Sequence, residues 1–235
     1  LRMSSPRQRY ALYYAPDAAT ALWTVGSAWL GRDAETGEKL PPPDIPDLPA
    51  ELIEKITLAP AQYGLHATLK PPFELADGCM EDALLEAAAA FAARQSPVVI
   101  PGLRVGEIGD FLALIPAATP PALNGLAADC VRDFDAFRAP SDRAALEKRL
   151  SAGLTDRQRE LLMRWGYPYV MEEFRFHFTL TEAPPATEAD AIKAALSDLF
   201  RRVTGGPVTV SALSVFMQPS ESAPFRVLAR IPFGG

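Results

Sequence analysis

The feature that most restricts the fold of this chain is an internal repeat built around its two histidines. His66 and His177 occupy the same frame, His-Ala-Thr-Leu in one case and His-Phe-Thr-Leu in the other. Pro97 begins a short apolar run 31 residues after His66, and Pro207 begins a comparable run 30 residues after His177. Self-similarity at matched spacing indicates duplication of one structural unit.

Strand-like and helical patterns follow in the same order in both halves of the chain. Residues 9–14 alternate as in a strand and precede a helical stretch at 18–30, and residues 111–115 precede a helical stretch at 121–137. Each half is therefore predicted to contain a helix, a His-x-Thr strand, a second helix and two further strands. In each half an insertion separates the first helix from the His-x-Thr strand.

The two insertions differ in composition. The first, at about residues 31–60, is rich in proline, which favours an extended path along the surface. The second, at about residues 139–169, carries a charged helical pattern. The predicted fold class is α+β, with duplicated antiparallel sheets, flanking helices and a central cleft. We expect one domain, residues 1–235, made of two pseudo-symmetric lobes.

The His-x-Thr frame places an imidazole and a hydroxyl on the same side of a strand. Because side chains alternate along a strand, His66 shares a face with Thr68, and His177 shares a face with Thr179. If the two lobes face one another, the four groups meet in one cleft. There one imidazole can accept a proton from water while the other donates a proton to the departing oxygen of a phosphodiester. The threonine hydroxyls can donate hydrogen bonds to the phosphate oxygens.

Other side chains near the two motifs are candidate substrate ligands. Lys70 and Arg175 fall on the same predicted strand faces as the histidines and could contact a phosphate, or else form salt bridges at the strand ends. Tyrosines are dense around the motifs and could stack on a base or sugar, although aromatic side chains of strands commonly belong to the core. These tyrosines are Tyr13, Tyr63, Tyr167 and Tyr169.

Charge and composition narrow the classes of partner. A formal net charge of −6 disfavours a general nucleic-acid binder, although a local basic cluster could still hold a small anion. No apolar run is long enough to cross a membrane, and residues 1–5 lack the apolar stretch of a secretory signal. Together with only two cysteines, this predicts a cytoplasmic protein. Neither histidine has a set of metal-ligating neighbours, so we expect no metal and no cofactor, and no protein partner is implied.

The paired motifs resemble those of the 2H phosphoesterase superfamily, which includes 2′,5′ RNA ligase-like proteins and cyclic nucleotide phosphodiesterases. This resemblance implies a bilobal α+β fold with the site in a central groove. It also implies that His66 and His177 form the acid–base pair, and that Thr68 and Thr179 bind the phosphate. Four further stretches resemble a branch associated with bacterial phosphonate-utilisation operons: residues 9–16, 29–33, 63–73 and 165–170.

Three hypotheses for the function follow. The leading one is a metal-independent phosphodiesterase that opens a small cyclic phosphate, such as a 2′,3′-cyclic nucleotide or a ribose cyclic phosphate, in phosphonate metabolism. The second is processing of RNA ends that carry 2′,3′-cyclic phosphates, which the acidic net charge disfavours. The third is a non-catalytic protein that binds a nucleotide or phosphate in the same cleft.

Overall fold

Strands form two antiparallel sheets within residues 8–235, which are the residues that this computed structural model describes. The expectation about residues 1–5 lies outside that range. In chain order the strands are β1 (Arg9–Tyr14), β2 (Ala67–Phe73), β3 (Val98–Ile100), β4 (Leu103–Ile108), β5 (Phe111–Pro116), β6 (Phe178–Thr179), β7 (Val208–Val210), β8 (Ala212–Gln218) and β9 (Arg226–Pro232). The larger sheet has the order β4-β5-β6-β2-β1-β8-β9, and β3 pairs with β7 in the smaller one.

Helices precede and follow both central strands, as the sequence pattern predicts. They are α1 (Ala21–Trp29), α2 (Ala50–Tyr63), α3 (Glu81–Ala93), α4 (Pro121–Asp133), α5 (Arg143–Leu150), α6 (Asp156–Trp165) and α7 (Ala189–Thr204). Short 3-10 turns occur at Asp135–Phe137 and Met171–Glu173. The predicted mixed architecture of helices and antiparallel sheets is confirmed.

Alternation of side chains along the central strands separates a buried face from an open one. Ala67 and Leu69 are fully buried, whereas Thr68 between them is half-buried. The core takes its largest side chains from helices, strands and turns alike, since Trp29, Phe91, Phe134, Phe178 and Phe200 are all fully buried. The polar groups of the motifs therefore lie on the less buried face of the sheet.

Both histidine motifs lie in the middle of the larger sheet. Strands β2 and β6 are antiparallel and are joined through one residue pair, Ala67 opposite Phe178. Strand β1 lies beyond β2, and β5 lies beyond β6. Each motif strand is thus flanked by the strand that opens its own half of the repeat. A continuous sheet runs through both halves, while the division into two lobes stays a prediction.

The first insertion contains a helix that the sequence analysis did not predict. Residues 50–63 form α2 instead of continuing the extended path expected from the prolines. Pro60 lies inside this helix, and its ring nitrogen cannot donate to the carbonyl of Ile56. That carbonyl instead accepts a hydrogen bond from the Glu182 backbone N–H, at 2.6 Å. A contact with a distant part of the chain therefore compensates the helix for its proline, which local sequence patterns do not reveal.

The second insertion forms the two charged helices that its pattern predicts, α5 and α6. At the start of α6, the Thr155 side chain accepts from the backbone N–H of Gln158, whose own side chain accepts from the backbone N–H of Thr155. This reciprocal capping satisfies donors that the first helical turn leaves free.

Among the helices of residues 8–235, none combines the length and apolar content needed to cross a membrane.

Candidate active site

The backbone just before each motif holds the histidine ring in the same way. His66 Nδ1 lies 2.9 Å from the carbonyl oxygen of Gly64, and His177 Nδ1 lies 2.7 Å from that of Arg175. A carbonyl oxygen can only accept, so each neutral ring carries its proton on Nδ1. The Nε2 atom of each ring is then left with its lone pair available. Both halves thus present the same tautomer of histidine.

Gly64 holds the His66 ring through a backbone conformation that other residues avoid. Its φ of +75° and ψ of −179° lie in a region accessible essentially to glycine alone. A Cβ atom at this position would also lie 2.5 Å from the Cβ of Ala34. The carbonyl that accepts from His66 therefore depends on the absence of a side chain at Gly64.

The pairing of β2 with β6 brings the two motifs together. Continuing the register from the Ala67–Phe178 pair by one residue in each direction sets His66 opposite Thr179 and Thr68 opposite His177. Directly opposed residues share a face, with Cβ atoms about 5 Å apart, and diagonal neighbours are about 7 Å apart. The two histidines are diagonal neighbours in this arrangement. Two imidazoles and two hydroxyls therefore form a compact set on one face of the sheet.

Burial keeps both imidazoles neutral at neutral pH. It lowers the pKa of His66 to about 4, an effect that the hydrogen bond to the Gly64 carbonyl opposes and the neighbouring His177 strengthens. Burial likewise lowers the pKa of His177, and the Arg175 carbonyl opposes this. The Tyr13 ring contributes to the burial of His66, because it stacks on the imidazole with 3.9 Å between the centroids and 26° between the planes. Each Nε2 can therefore accept a proton in the unliganded protein.

The threonine hydroxyls of the motifs are available to a ligand. Thr68 and Thr179 are both half-buried. Within residues 8–235, neither hydroxyl makes a hydrogen bond to another protein group, in contrast to the buried Thr181, whose Oγ1 accepts from the Leu112 backbone N–H at 3.0 Å. Unpaired hydroxyl groups beside two imidazoles can donate to the oxygens of an anion.

The structure brings three of the four candidate tyrosines towards His66. Tyr13 stacks on its ring, and the Tyr63 centroid lies 5.9 Å from it. Tyr167 lies close enough to Tyr13 to help raise the pKa of Tyr13, and Tyr63 in turn helps to raise the pKa of Tyr167. Tyr169 contacts Tyr167 edge-on at 5.6 Å and is 48% exposed, so it lies at the outside of the group.

Lys70 does not occupy the place expected from strand alternation. Its side chain is only 1% exposed, and its Nζ donates to the Val131 carbonyl at 3.0 Å and lies 3.4 Å from Asp135. The reason is an irregularity in the pairing of β1 with β2, where Tyr13 opposes Thr68 but the preceding residue opposes Lys70. A β-bulge of this kind interrupts the alternation of side chains. The charge of Lys70 is therefore used within the protein and not in the cleft.

Arg175 contributes to the site through its backbone. Its carbonyl orients His177, while its side chain is exposed and has no hydrogen bond or ion pair within the described part of the chain. The structure thus assigns its main-chain oxygen a definite role and leaves a contact between its guanidinium and a phosphate as a prediction.

Arg32 is a positioning residue that the sequence analysis did not single out. Its guanidinium is 8% exposed and donates to three carbonyl oxygens, those of Ala61 at 2.8 Å, Gln62 at 3.4 Å and Phe225 at 2.8 Å. These bonds tie the end of α2, just before Gly64, to the segment that begins β9. No periodicity in the sequence points to such a contact, because its partners lie about 30 and 190 residues away.

Arg9 was also missed, although a signal for it exists. Four positions separate Arg9 from Tyr13, so both fall on one face of β1 if alternation is followed. Its Nε donates to the Gln218 side chain at 2.7 Å, and its guanidinium lies 5.5 Å from the centre of the Phe225 ring. A positive charge therefore lies on the side of the site that carries Tyr13 and Tyr63.

Within residues 8–235, no group of three or more His, Cys, Asp or Glu residues is arranged to hold a metal ion.

Comparison with known proteins places the chain in a family. Residues 68–226 match the family model DUF1045, described as a protein of unknown function. The chain belongs to the DUF1045 family.

It is 42% identical over its whole length to the ribose 1,5-bisphosphate phosphokinase PhnN of Janthinobacterium sp. (strain Marseille), of which it covers 53%. It is 36% identical, over 93% of its length, to PhnN of Laribacter hongkongensis (strain HLHK9), of which it covers 50%. The chain thus spans about half the length of these curated relatives.

Some solved structures are similar to this DUF1045 protein. One is E. coli LigT in complex with 3′-AMP, with 14% identity, a TM-score of 0.47, and coverage of 97% of this chain and 99% of LigT. Another is described as a phosphoesterase, with 13% identity, a TM-score of 0.43, and coverage of 97% and 99%.

Proposed function

We propose that this protein is a phosphodiesterase that opens a small cyclic phosphate with His66 and His177 as its acid–base pair, without a metal ion. The observation that carries the proposal is the antiparallel pairing of Ala67 with Phe178; continued by one residue, this register makes His66 and His177 diagonal neighbours. One phosphate between the two imidazoles would lie within reach of both Nε2 atoms and both threonine hydroxyls.

The substrate we favour is a cyclic phosphate of ribose or a ribose derivative, because both curated relatives are named for ribose 1,5-bisphosphate. Their name PhnN fits the phosphonate association.

In the proposed reaction, a water oxygen attacks phosphorus while the bond between phosphorus and one ring oxygen breaks. One imidazole takes the proton released by water, and the other gives a proton to the departing oxygen. Thr68 and Thr179 donate to the two oxygens outside the ring, where negative charge builds up. The product is a phosphate monoester beside a free hydroxyl, so that atoms and charge balance with one water consumed.

We assign the role of base to His66. Its imidazole is held neutral by burial and by the ring of Tyr13, and its Nδ1 proton is committed to the Gly64 carbonyl. An arriving phosphate anion favours the charged form of an imidazole and raises the pKa of both rings. Tyr13 stacks on His66 and not on His177, so we expect His177 to carry the extra proton and act as the acid.

The test uses two substitutions that remove Nε2 but keep a donor near the backbone carbonyl, His66→Asn and His177→Asn. The purified chain is incubated with EDTA and with ribose 1,2-cyclic phosphate or 2′,3′-cyclic AMP, and products are followed by phosphorus NMR. We expect turnover by the wild type and a loss of at least about 100-fold in each variant. Thr209→Val, on the exposed side of β7, serves as a control that keeps full activity.

Two outcomes would replace the proposal. Binding of these cyclic phosphates without hydrolysis, in both the presence and the absence of divalent metal ions, would indicate a non-catalytic binding protein. Hydrolysis confined to an RNA oligonucleotide that ends in a 2′,3′-cyclic phosphate would indicate processing of RNA ends.

A further inference from the structure

The tyrosine rings beside His66 are already packed against protein. Tyr13 is 1% exposed, with His66 stacked on it and Phe216 at 5.0 Å. The Tyr63 ring stacks on that of Phe225, at 5.2 Å with 15° between the planes. A nucleobase therefore has little ring surface to stack on at these two residues. What they can still offer a ligand is their hydroxyl groups.

These rings and one arginine surround a common centre, the ring of Phe225. Around it lie Tyr63 at 5.2 Å, the Arg9 guanidinium at 5.5 Å and Tyr13 at 6.5 Å. Phe225 itself is fully buried, and Arg32 binds its backbone carbonyl. The arrangement is therefore rigid, and it keeps a positive charge and two phenols in one place beside His66.

Arg9 is held in a manner suited to binding an anion. Its Nε donates to the side-chain oxygen of Gln218, whose amide nitrogen donates to the Ala223 carbonyl at 2.7 Å. Gln218 is 3% exposed, so this support is well fixed. In the range 8–235, Arg9 forms no ion pair with a carboxylate. A guanidinium oriented by a neutral amide keeps its terminal N–H groups for a bidentate contact with a phosphate.

The hydroxyls of Tyr13, Tyr63 and Tyr167 make no hydrogen bond to another protein group within the described chain. Burial raises the pKa of Tyr13 well above its usual value, the nearby Tyr63 and Tyr167 add to this, and Arg9 opposes it. Burial is also the main reason why the pKa of Tyr167 is raised. Phenol hydroxyls that have no protein partner can donate hydrogen bonds to an anion.

We propose that Arg9 and the hydroxyls of Tyr13, Tyr63 and Tyr167 form a second anion-binding subsite beside His66. It would receive a second phosphate of the substrate, separate from the cyclic phosphate that lies between the histidines. This inference rests on the proposed function and names the class of substrate more closely. The preferred substrate is a cyclic sugar phosphate that carries a further phosphate monoester and no base.

The experiment compares ribose 1,2-cyclic phosphate with the same compound phosphorylated at its 5-oxygen. We expect the wild type to prefer the phosphorylated compound by about 100-fold in kcat/KM, because charge-assisted hydrogen bonds contribute discrimination of this order. Arg9→Met, which keeps an unbranched side chain but removes the charge, should lower kcat/KM for the phosphorylated compound about 30- to 100-fold, mainly through KM. For the other compound the loss should be less than about 3-fold. Arg202→Met, at the exposed end of α7, is the matched control and should alter neither value.

The outcomes separate this inference from the proposed function. If Arg9→Met lowers turnover of both compounds equally, the subsite is refuted while the histidine mechanism stands. If the wild type hydrolyses neither compound nor 2′,3′-cyclic AMP, the proposed function fails, and calorimetric binding of ribose 5-phosphate then tests the subsite alone. An unchanged affinity in Arg9→Met would overturn it, and a loss of about 10-fold would support it. Should Arg9→Met fail to fold by circular dichroism, Tyr63→Phe removes one donor without removing a ring and takes its place in both comparisons.

Discussion

Replacement of Gly64 by alanine tests how the site depends on one backbone conformation. The φ and ψ of Gly64 belong to a region that costs other residues about 1–3 kcal/mol. The added Cβ would lie 2.5 Å from the Cβ of Ala34, and overpacking of this kind costs about 1–3 kcal/mol. Gly64→Ala should therefore lower the free energy of unfolding by about 2–6 kcal/mol.

The matched control is Gly78→Ala. Gly78 also has a positive φ, +85°, but a Cβ atom built there meets nothing within 4 Å. Only the backbone term remains, about 1–2 kcal/mol. Urea unfolding followed by tryptophan fluorescence measures both variants under the same conditions. The extra loss in Gly64→Ala reports the contact with Ala34 together with the more extreme backbone conformation of Gly64, and equal losses in the two variants would refute the account given for Gly64.

The same substitution should affect turnover in a way that stability does not explain. The Gly64 carbonyl orients His66 through Nδ1, so a shift of the peptide by about 1 Å misplaces Nε2 and can lower kcat by about 100-fold. Gly78→Ala, measured where both variants are fully folded, should keep the wild-type kcat. Retention of full activity by folded Gly64→Ala would show that the carbonyl does not position the imidazole.

Three further predictions concern pH, the threonines and the buried lysine. The pKa of His66 is about 4 in the folded protein, against an ordinary value of 6.5 in the unfolded chain, so the unfolded chain binds more protons between these pH values. The free energy of unfolding should therefore fall as the pH drops from 6.5 to 4, by up to about 3 kcal/mol. His66→Asn should flatten this part of the profile in urea titrations, and an unchanged slope would contradict the burial argument. Thr68→Val and Thr179→Val should each lower kcat about 10- to 100-fold with little change in stability, measured beside Thr209→Val, and wild-type rates in both would exclude the hydroxyls from the reaction. Lys70→Met should keep kcat/KM within about 2-fold of the wild type, since its charge is satisfied outside the cleft, whereas a loss above about 10-fold would restore Lys70 to the site.

Local patterns were sufficient to predict most helices and strands. The alternation at residues 9–14 and the helical stretch at 18–30 correspond closely to β1 and α1. The pattern failed at α2, where prolines suggested an extended path. There the Ile56 carbonyl, which Pro60 cannot bond, accepts from the Glu182 N–H, and this bond joins residues more than 120 positions apart. Periodicity reports on consecutive residues, so it carries no information about such a partner.

The residues of the candidate site were likewise predicted only in part from the sequence. The repeated His-x-Thr frame alone indicated two imidazoles and two hydroxyls, because the strand period of two places the members of each motif on one face. The position of Lys70 could not be read from that period, since the bulge that turns it away arises where β2 pairs with β1. Arg32 and Arg9 act on groups up to about 200 residues away, and their contacts exist only in the folded chain.

The sequence by itself determined that this protein has two matched motifs, each with an imidazole and a hydroxyl on one side of a strand. This follows from the covalent geometry of the extended chain, which every strand shares. Only the tertiary structure decided that the two strands lie side by side with Ala67 opposite Phe178. A register between strands more than 100 residues apart is set by the packing of both faces of the sheet and by the connections between strands. That register is what makes His66 and His177 diagonal neighbours, on which the proposed function rests.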